Sequence, residues 1–97
     1  MTALRFRPEV ADDLSGARQW YEARRPGLGD EFVAAIQRCT ERISTNPALF
    51  AMVHRDVRRA MVWRFPFAVF FVLGDDAVQV IAVLHVRRDP GVWQTRA

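Results

Sequence analysis

The sequence has no lysine: all fourteen basic residues are arginine, set against eleven Asp and Glu for a formal net charge of +3. Guanidinium forks bind carboxylate or phosphate bidentately, yet they cannot give up a proton at neutral pH. Positive charge on this chain can therefore hold a partner, but it cannot serve as a general acid. Cysteine is limited to Cys39, which excludes an internal disulfide, and no apolar stretch follows the first nine residues that would read as a secretory signal. A cytoplasmic location is expected. Long apolar runs are also missing. Phe65–Leu73 and Ala77–Leu84 fall well short of the roughly 20 residues that a membrane-spanning helix requires. With only two histidines, His54 and His85, and no carboxylate or thiol at ligand spacing from either, no metal site and no cofactor is expected. Glycine-rich phosphate loops, nucleophile elbows and paired catalytic carboxylates are absent as well.

What remains is the pattern of one small globular domain spanning residues 1–97, 51% hydrophobic and 26% charged. Leu4 and Phe6 alternate with Arg5 and Arg7, the period-2 signature of a short strand over 3–7. Pro8 and the acidic Glu9, Asp12 and Asp13 then favour a helix start. Val10, Leu14, Ala17 and Tyr21 line one stripe of a helix to about Arg24, with Trp20 beside it as a packing residue, and Gly16 weakens the segment. Pro26-Gly27-Leu28-Gly29 is a break short enough to return a second helix antiparallel. Asp30 is its candidate cap, Phe32, Ile36, Cys39 and Ile43 its apolar face, and Asn46-Pro47 its stop. A loop over 48–56, strands over 57–64, 67–73 and 77–86, a turn at Gly74-Asp75-Asp76 and an irregular tail from Asp89 complete the chain.

The predicted architecture is α+β, in the order βααβββ, with a helical hairpin packed on a mostly antiparallel four-stranded sheet. Two helices cover one face. The third strand, however, is apolar on both: Phe67, Val69, Phe71 and Leu73 alternate with Ala68, Phe70 and Val72. The fourth repeats this, with Val78, Val80, Ala82 and Leu84 opposed by Ile81 and Val83. An antiparallel sheet with one wet face would alternate apolar and polar, so the second face is expected to be covered in part by a partner chain or by the tail. Arg58, Arg59 and Arg64, with Arg87 and Arg88, form a cluster if the strand ends lie together, suited to phosphate or to an acidic peptide.

Trp20-Tyr21-Glu22, Pro26-Gly27-Leu28-Gly29 with Phe32, Asn46-Pro47, Arg58-Arg59, Arg64-Phe65-Pro66-Phe67, His85, Arg87-Arg88-Asp89-Pro90 and Trp93 together resemble the RelE/ParE superfamily of toxins from type II toxin-antitoxin systems. The resemblance spans nearly the whole chain and implies the same βααβββ fold. It also implies one of two activities. RelE-like members cut messenger RNA on the ribosome, and on that reading Arg59, Arg64, His85 and Arg87 would do the chemistry. ParE-like members bind and inhibit DNA gyrase. Ala68 stands where the ribonucleases commonly carry an arginine, Met61 lies near a place where they carry lysine, and Trp93 replaces their late tyrosine. An indole cannot exchange a proton as a phenol can. The resemblance therefore implies the ParE-like branch, with no catalytic residues and with Arg58, Arg59, Arg64, Phe70, Arg87, Arg88, Trp93 and Arg96 as the binding set for antitoxin or target. The implied partner is a ParD-like antitoxin with an N-terminal DNA-binding domain, in a heteromeric complex.

Overall fold

Backbone stops and starts divide the chain. In the computed structural model, which describes residues 1–97, β1 (Leu4–Phe6) leads into α1 (Pro8–Arg24), where Pro8 occupies the first turn and Glu9 faces the positive helix end. The chain then returns as α2 (Leu28–Thr45) and ends at Asn46, ahead of Pro47. A short 3-10 turn at Pro47–Leu49 precedes β2 (Met52–His54), β3 (Val57–Met61), β4 (Phe67–Leu73), β5 (Val78–His85) and α3 (Pro90–Gln94). No helix is long and apolar enough to cross a membrane.

The strands form one mixed sheet in the order β1-β5-β4-β3-β2. β1 runs parallel to β5, with Leu4 beside Val78, and every other pair is antiparallel. The predicted α+β class and helical hairpin are found, with one strand more than the four expected. The extra strand is β2, inside the segment read as loop. It is three residues long and meets β3 through an irregular register, so it has no run of alternation to betray it.

The turn between the helices is tighter than expected. α2 starts at Leu28 rather than near Asp30, and its N-cap is Gly27 with φ 89° and no capping side chain of its own. The cap comes from α1 instead: the Glu22 carboxylate accepts the backbone N–H groups of Gly27 and Gly29, each at 3.0 Å. Asp30, freed from that duty, receives a hydrogen bond from Arg18 on α1 at 2.7 Å. The helices also pass closely at Gly29, where a Cβ would lie 2.9 Å from the Arg18 carbonyl oxygen.

Two apolar layers flank the sheet. The larger unites Val10 of α1, Phe32, Ile36, Cys39 and Ile43 of α2, and Val69, Phe71, Val78, Val80 and Val83 of the sheet. Tyr21, Phe32, Phe65 and Phe67 interlock at one end of this layer, with ring centroids 4.9–6.0 Å apart. The second layer holds Val57, Ala68, Phe70, Ile81, Ala82, Leu84 and Trp93 on the opposite face. Here the tail, expected to be irregular, folds as α3, with the Asp89 carboxylate accepting the Gly91 N–H as its cap. Trp93 stacks on Phe70 at 4.4 Å with the rings 14° from parallel.

The faces of β4 are as read from its alternation, but those of β5 are not. Phe70 pairs with Ala82 and Phe71 with Val80, so Ile81 is an inserted residue, a β-bulge. Beyond it the alternation changes phase. Val83 packs under the helices, while Ala82 and Leu84, expected to share a face with Val80, lie on the opposite one.

Candidate functional site

Arginine placement decides which residues can act together. Arg59 pairs with Phe70 across the β3–β4 ladder and shares its face, away from the helices. His85 pairs with Phe67, on the helix-packed face, and their rings lie 5.5 Å apart. The two residues are thus separated by the sheet itself. Arg64 lies in the β3–β4 turn at φ 69°, a left-handed conformation that few residues other than glycine adopt. There it donates to Glu31 at the start of α2, which also accepts from Arg25 at 2.9 Å. The hydrogen bond from Arg25, with the charges of Arg25 and Arg64, holds the Glu31 carboxyl below its ordinary range. Arg64 thereby ties the β3–β4 turn to the helical turn, and its positive charge is matched.

Four further members of the expected binding set are also engaged. Arg58 donates to the Ala48 and Phe50 carbonyls at 3.2 and 2.7 Å, pinning the segment that leads into β2. Arg96 reaches back from the tail to Asp13 of α1, donating to both carboxylate oxygens at 2.7 and 3.1 Å and to the Ile81 carbonyl at 3.1 Å. Asp13 in turn accepts the Val83 N–H at 3.0 Å. The pair closes the β5 edge that β1 leaves open past the bulge, and both side chains are largely shielded, at 17% and 7% exposure. Phe70 and Trp93 are buried against each other.

Arg59, Arg87 and Arg88 are exposed and take part in no ion pair. Arg87 and Arg88 follow β5 in a turn where the Arg87 N–H donates to His85 Nδ1 at 3.0 Å. His85 and Arg88 edge a groove of about 650 Å³ between α1 and the end of β5, lined by Ala17, Trp20, Tyr21 and Phe67. Burial pushes the Tyr21 phenol up. Trp20, expected to pack inside, is 52% exposed on this rim, with the Arg24 guanidinium 4.0 Å from its ring centre. Such a cation over an indole face is a stable surface arrangement.

This arrangement supplies fixed positive charge and apolar surface at one end of the sheet. Against it stands the family comparison: residues 4–90 match the family model described as the ParE toxin of the parDE type II toxin-antitoxin system. The chain belongs to the ParE toxin family. Its fold is also that of a solved chromosomal ParDE toxin-antitoxin system from P. aeruginosa, with a TM-score of 0.78, 19% identity, and coverage of 88% of this chain and 96% of the other. No curated protein sequence matches.

On this ParE-family frame, sequence reasoning missed the exposed apolar residues beside the free arginines. Trp63 is 79% exposed in the β3–β4 turn, Met61 48% at the end of β3, and Val86 44% just past β5. Exposure of an indole on a strand-to-strand turn carries no periodic signal. The one available sign was that Trp63 directly precedes the Arg64-Phe65-Pro66-Phe67 run.

Proposed function

We propose that this chain is a toxin that arrests growth by binding DNA gyrase, and that a ParD-like antitoxin neutralises it by stoichiometric capture. The toxin-antitoxin assignment follows from family membership. The observation that carries the binding mode is the separation of Arg59 and Arg64 from His85 and Arg87, the four residues a ribonuclease would need. Arg59 and His85 occupy opposite faces of the sheet, and Arg64 is bound to Glu31. Cleavage by 2′-hydroxyl attack needs a proton acceptor, a proton donor and charge stabilisation converging within hydrogen-bond reach of one phosphodiester. Unpaired arginines on an apolar background are better suited to gripping a protein surface.

The test is a supercoiling assay with purified gyrase at increasing molar ratios of toxin. Inhibition or trapped cleavage complexes near stoichiometric ratios are expected, relieved by the antitoxin. Undisturbed supercoiling at large excess, together with discrete cuts in translated messages that vanish in Arg87→Ala, would replace this reading with the ribonuclease one.

A further inference from the structure

Gly16 is the residue of α1 that the fold explains least. It stands exposed in the middle of the helix, where glycine weakens the segment, and its φ is not positive. A Cβ there would meet no atom within 4 Å, so no close approach calls for it either. What the missing side chain does is keep open the groove of about 650 Å³ between α1 and the end of β5. Residues four apart share a helix face, so Asp12, Gly16 and Trp20 form one row along this groove and Asp13, Ala17 and Tyr21 the row beside it. Gly16 is thus a notch with a carboxylate on one side and an indole on the other.

The rest of the groove adds ring surface and one free charge of each sign. Trp20, Tyr21, Phe67 and His85 follow one another with ring centroids 5.1, 6.0 and 5.5 Å apart. The Tyr21 hydroxyl takes no hydrogen bond from the chain and is not sealed from water, which leaves it free to donate. Arg96 answers the charge of Asp13, whereas Asp12 and Arg88 are exposed and make no ion pair. The volume is that of a small-molecule site, for which about 300–1,000 Å³ is usual.

We propose that this groove binds a guanine nucleotide, its base seated in the Gly16 notch with the edge on Asp12 and its phosphate on Arg88. An ionised carboxylate only accepts, so it suits a ring edge that presents two N–H donors side by side, as guanine does with its ring N–H and exocyclic amino group. Adenine sets a bare ring nitrogen next to its amino group and would press a lone pair against Asp12. The guanidinium fork of Arg88 takes phosphate oxygens in pairs, and Asp12 repels them from the other end, which fixes the direction of the ligand. An extended peptide fits less well. The β5 edge beside the groove is plugged on one side by Asp13 and Arg96, which hold the Val83 N–H and the Ile81 carbonyl, and on the other by the turn in which the Arg88 N–H returns to the His85 carbonyl. No run of free ladder is left there for an added strand. The site lies on the helix side of the sheet, away from Arg59, and owes nothing to the gyrase reading.

Calorimetric titration of the purified full-length chain with guanosine 5′-monophosphate is the test, with adenosine 5′-monophosphate, guanosine and ribose 5-phosphate as comparators. Guanosine monophosphate is expected to bind about tenfold more tightly than the adenosine nucleotide or ribose 5-phosphate. Asp12→Asn should erase the preference over adenine. Arg88→Ala should weaken the monophosphate about tenfold, the worth of one charge-assisted contact, and leave guanosine unchanged. Gly16→Leu places a side chain in the groove without a clash in the helix, and should abolish binding of both with an unchanged circular-dichroism spectrum. In the Trp63→Phe chain the exposed indole is Trp20, whose fluorescence should change in step with the heat of binding. Absence of nucleotide binding, equal binding of ribose 5-phosphate, or binding that survives Gly16→Leu in a folded chain overturns the site. A single-stranded oligonucleotide that binds more tightly than the mononucleotide overturns the free nucleotide as its ligand. None of these results bears on the supercoiling assay, so the two readings fail separately.

Discussion

At the scale of single residues, the Asp13–Arg96 pair holds the most structure with the fewest atoms. Two charged groups that are mostly shielded from water are stable only when each finds full hydrogen bonding, and here the pair also takes up the carbonyl of Ile81 and the N–H of Val83. Asp13→Ala is expected to destabilise the fold by about 3 kcal/mol, because it strands both a guanidinium and a backbone donor. Arg96→Ala should cost less, roughly 2 kcal/mol, since Asp13 keeps the Val83 N–H. Urea denaturation of the two variants checks the order, and equal losses would show that the Val83 hydrogen bond contributes nothing. Little of this was legible beforehand. Arg96 is the penultimate residue and read as a binding arginine; its partner lies 83 positions away, a separation that no local pattern encodes. The same holds for Arg58, whose role as a clamp on the 48–50 backbone depends on a turn that leaves no composition signal.

Among the elements, the helical hairpin was legible and the strands were legible in part. Pro8 and Asn46-Pro47 bound the helices because proline restricts the backbone locally, and the 3.6-residue stripe placed Val10, Phe32, Ile36, Cys39 and Ile43 in the core. β5 defeats the same logic. All its residues near the bulge are apolar, so inserting Ile81 shifts the faces without disturbing the hydrophobic pattern. α3 and β2 are too short for periodicity to register. Within the hairpin, two glycines of similar appearance have opposite roles. A Cβ at Gly16 would meet nothing within 4 Å, whereas one at Gly29 would press on the Arg18 carbonyl and the Glu22 carboxylate. Gly16→Ala is expected to stabilise by about 0.8 kcal/mol through helix propensity. Gly29→Ala should destabilise by roughly 1–3 kcal/mol by forcing α1 and α2 apart. Thermal unfolding of both variants measures the contrast, and a gain at both positions would mean that the hairpin can open without loss.

For the molecule as a whole, charge joins parts that the backbone leaves separate. Glu31 bridges Arg25 at the end of the helical hairpin's first arm and Arg64 in the β3–β4 turn. Its carboxyl is held below the unfolded value, chiefly by the hydrogen bond from Arg25, so the folded state binds a proton there less readily than the unfolded chain does. The stabilisation is therefore fully present above the ordinary carboxylate value of 4.5 and is lost as pH falls through the depressed one. Glu31→Gln is expected to flatten the acid limb of the stability–pH curve while leaving its shape above neutrality unchanged, as measured by denaturant midpoints between pH 3 and pH 8. An unchanged acid limb would assign acid sensitivity to other carboxylates.

The closure of the sheet has a consequence for how the protein is made. β1 leaves the ribosome well before its strand partner β5, and Asp13 waits for Arg96, made 83 positions later. Synthesis proceeds at about 5–20 residues per second. Throughout it, the nascent chain can form its helical hairpin but neither its completed sheet edge nor the Trp93 cover over Phe70. A half-made copy is therefore an open, sticky molecule, and the finished surface is available to a partner only once α3 and Arg96 of that copy have emerged and folded back.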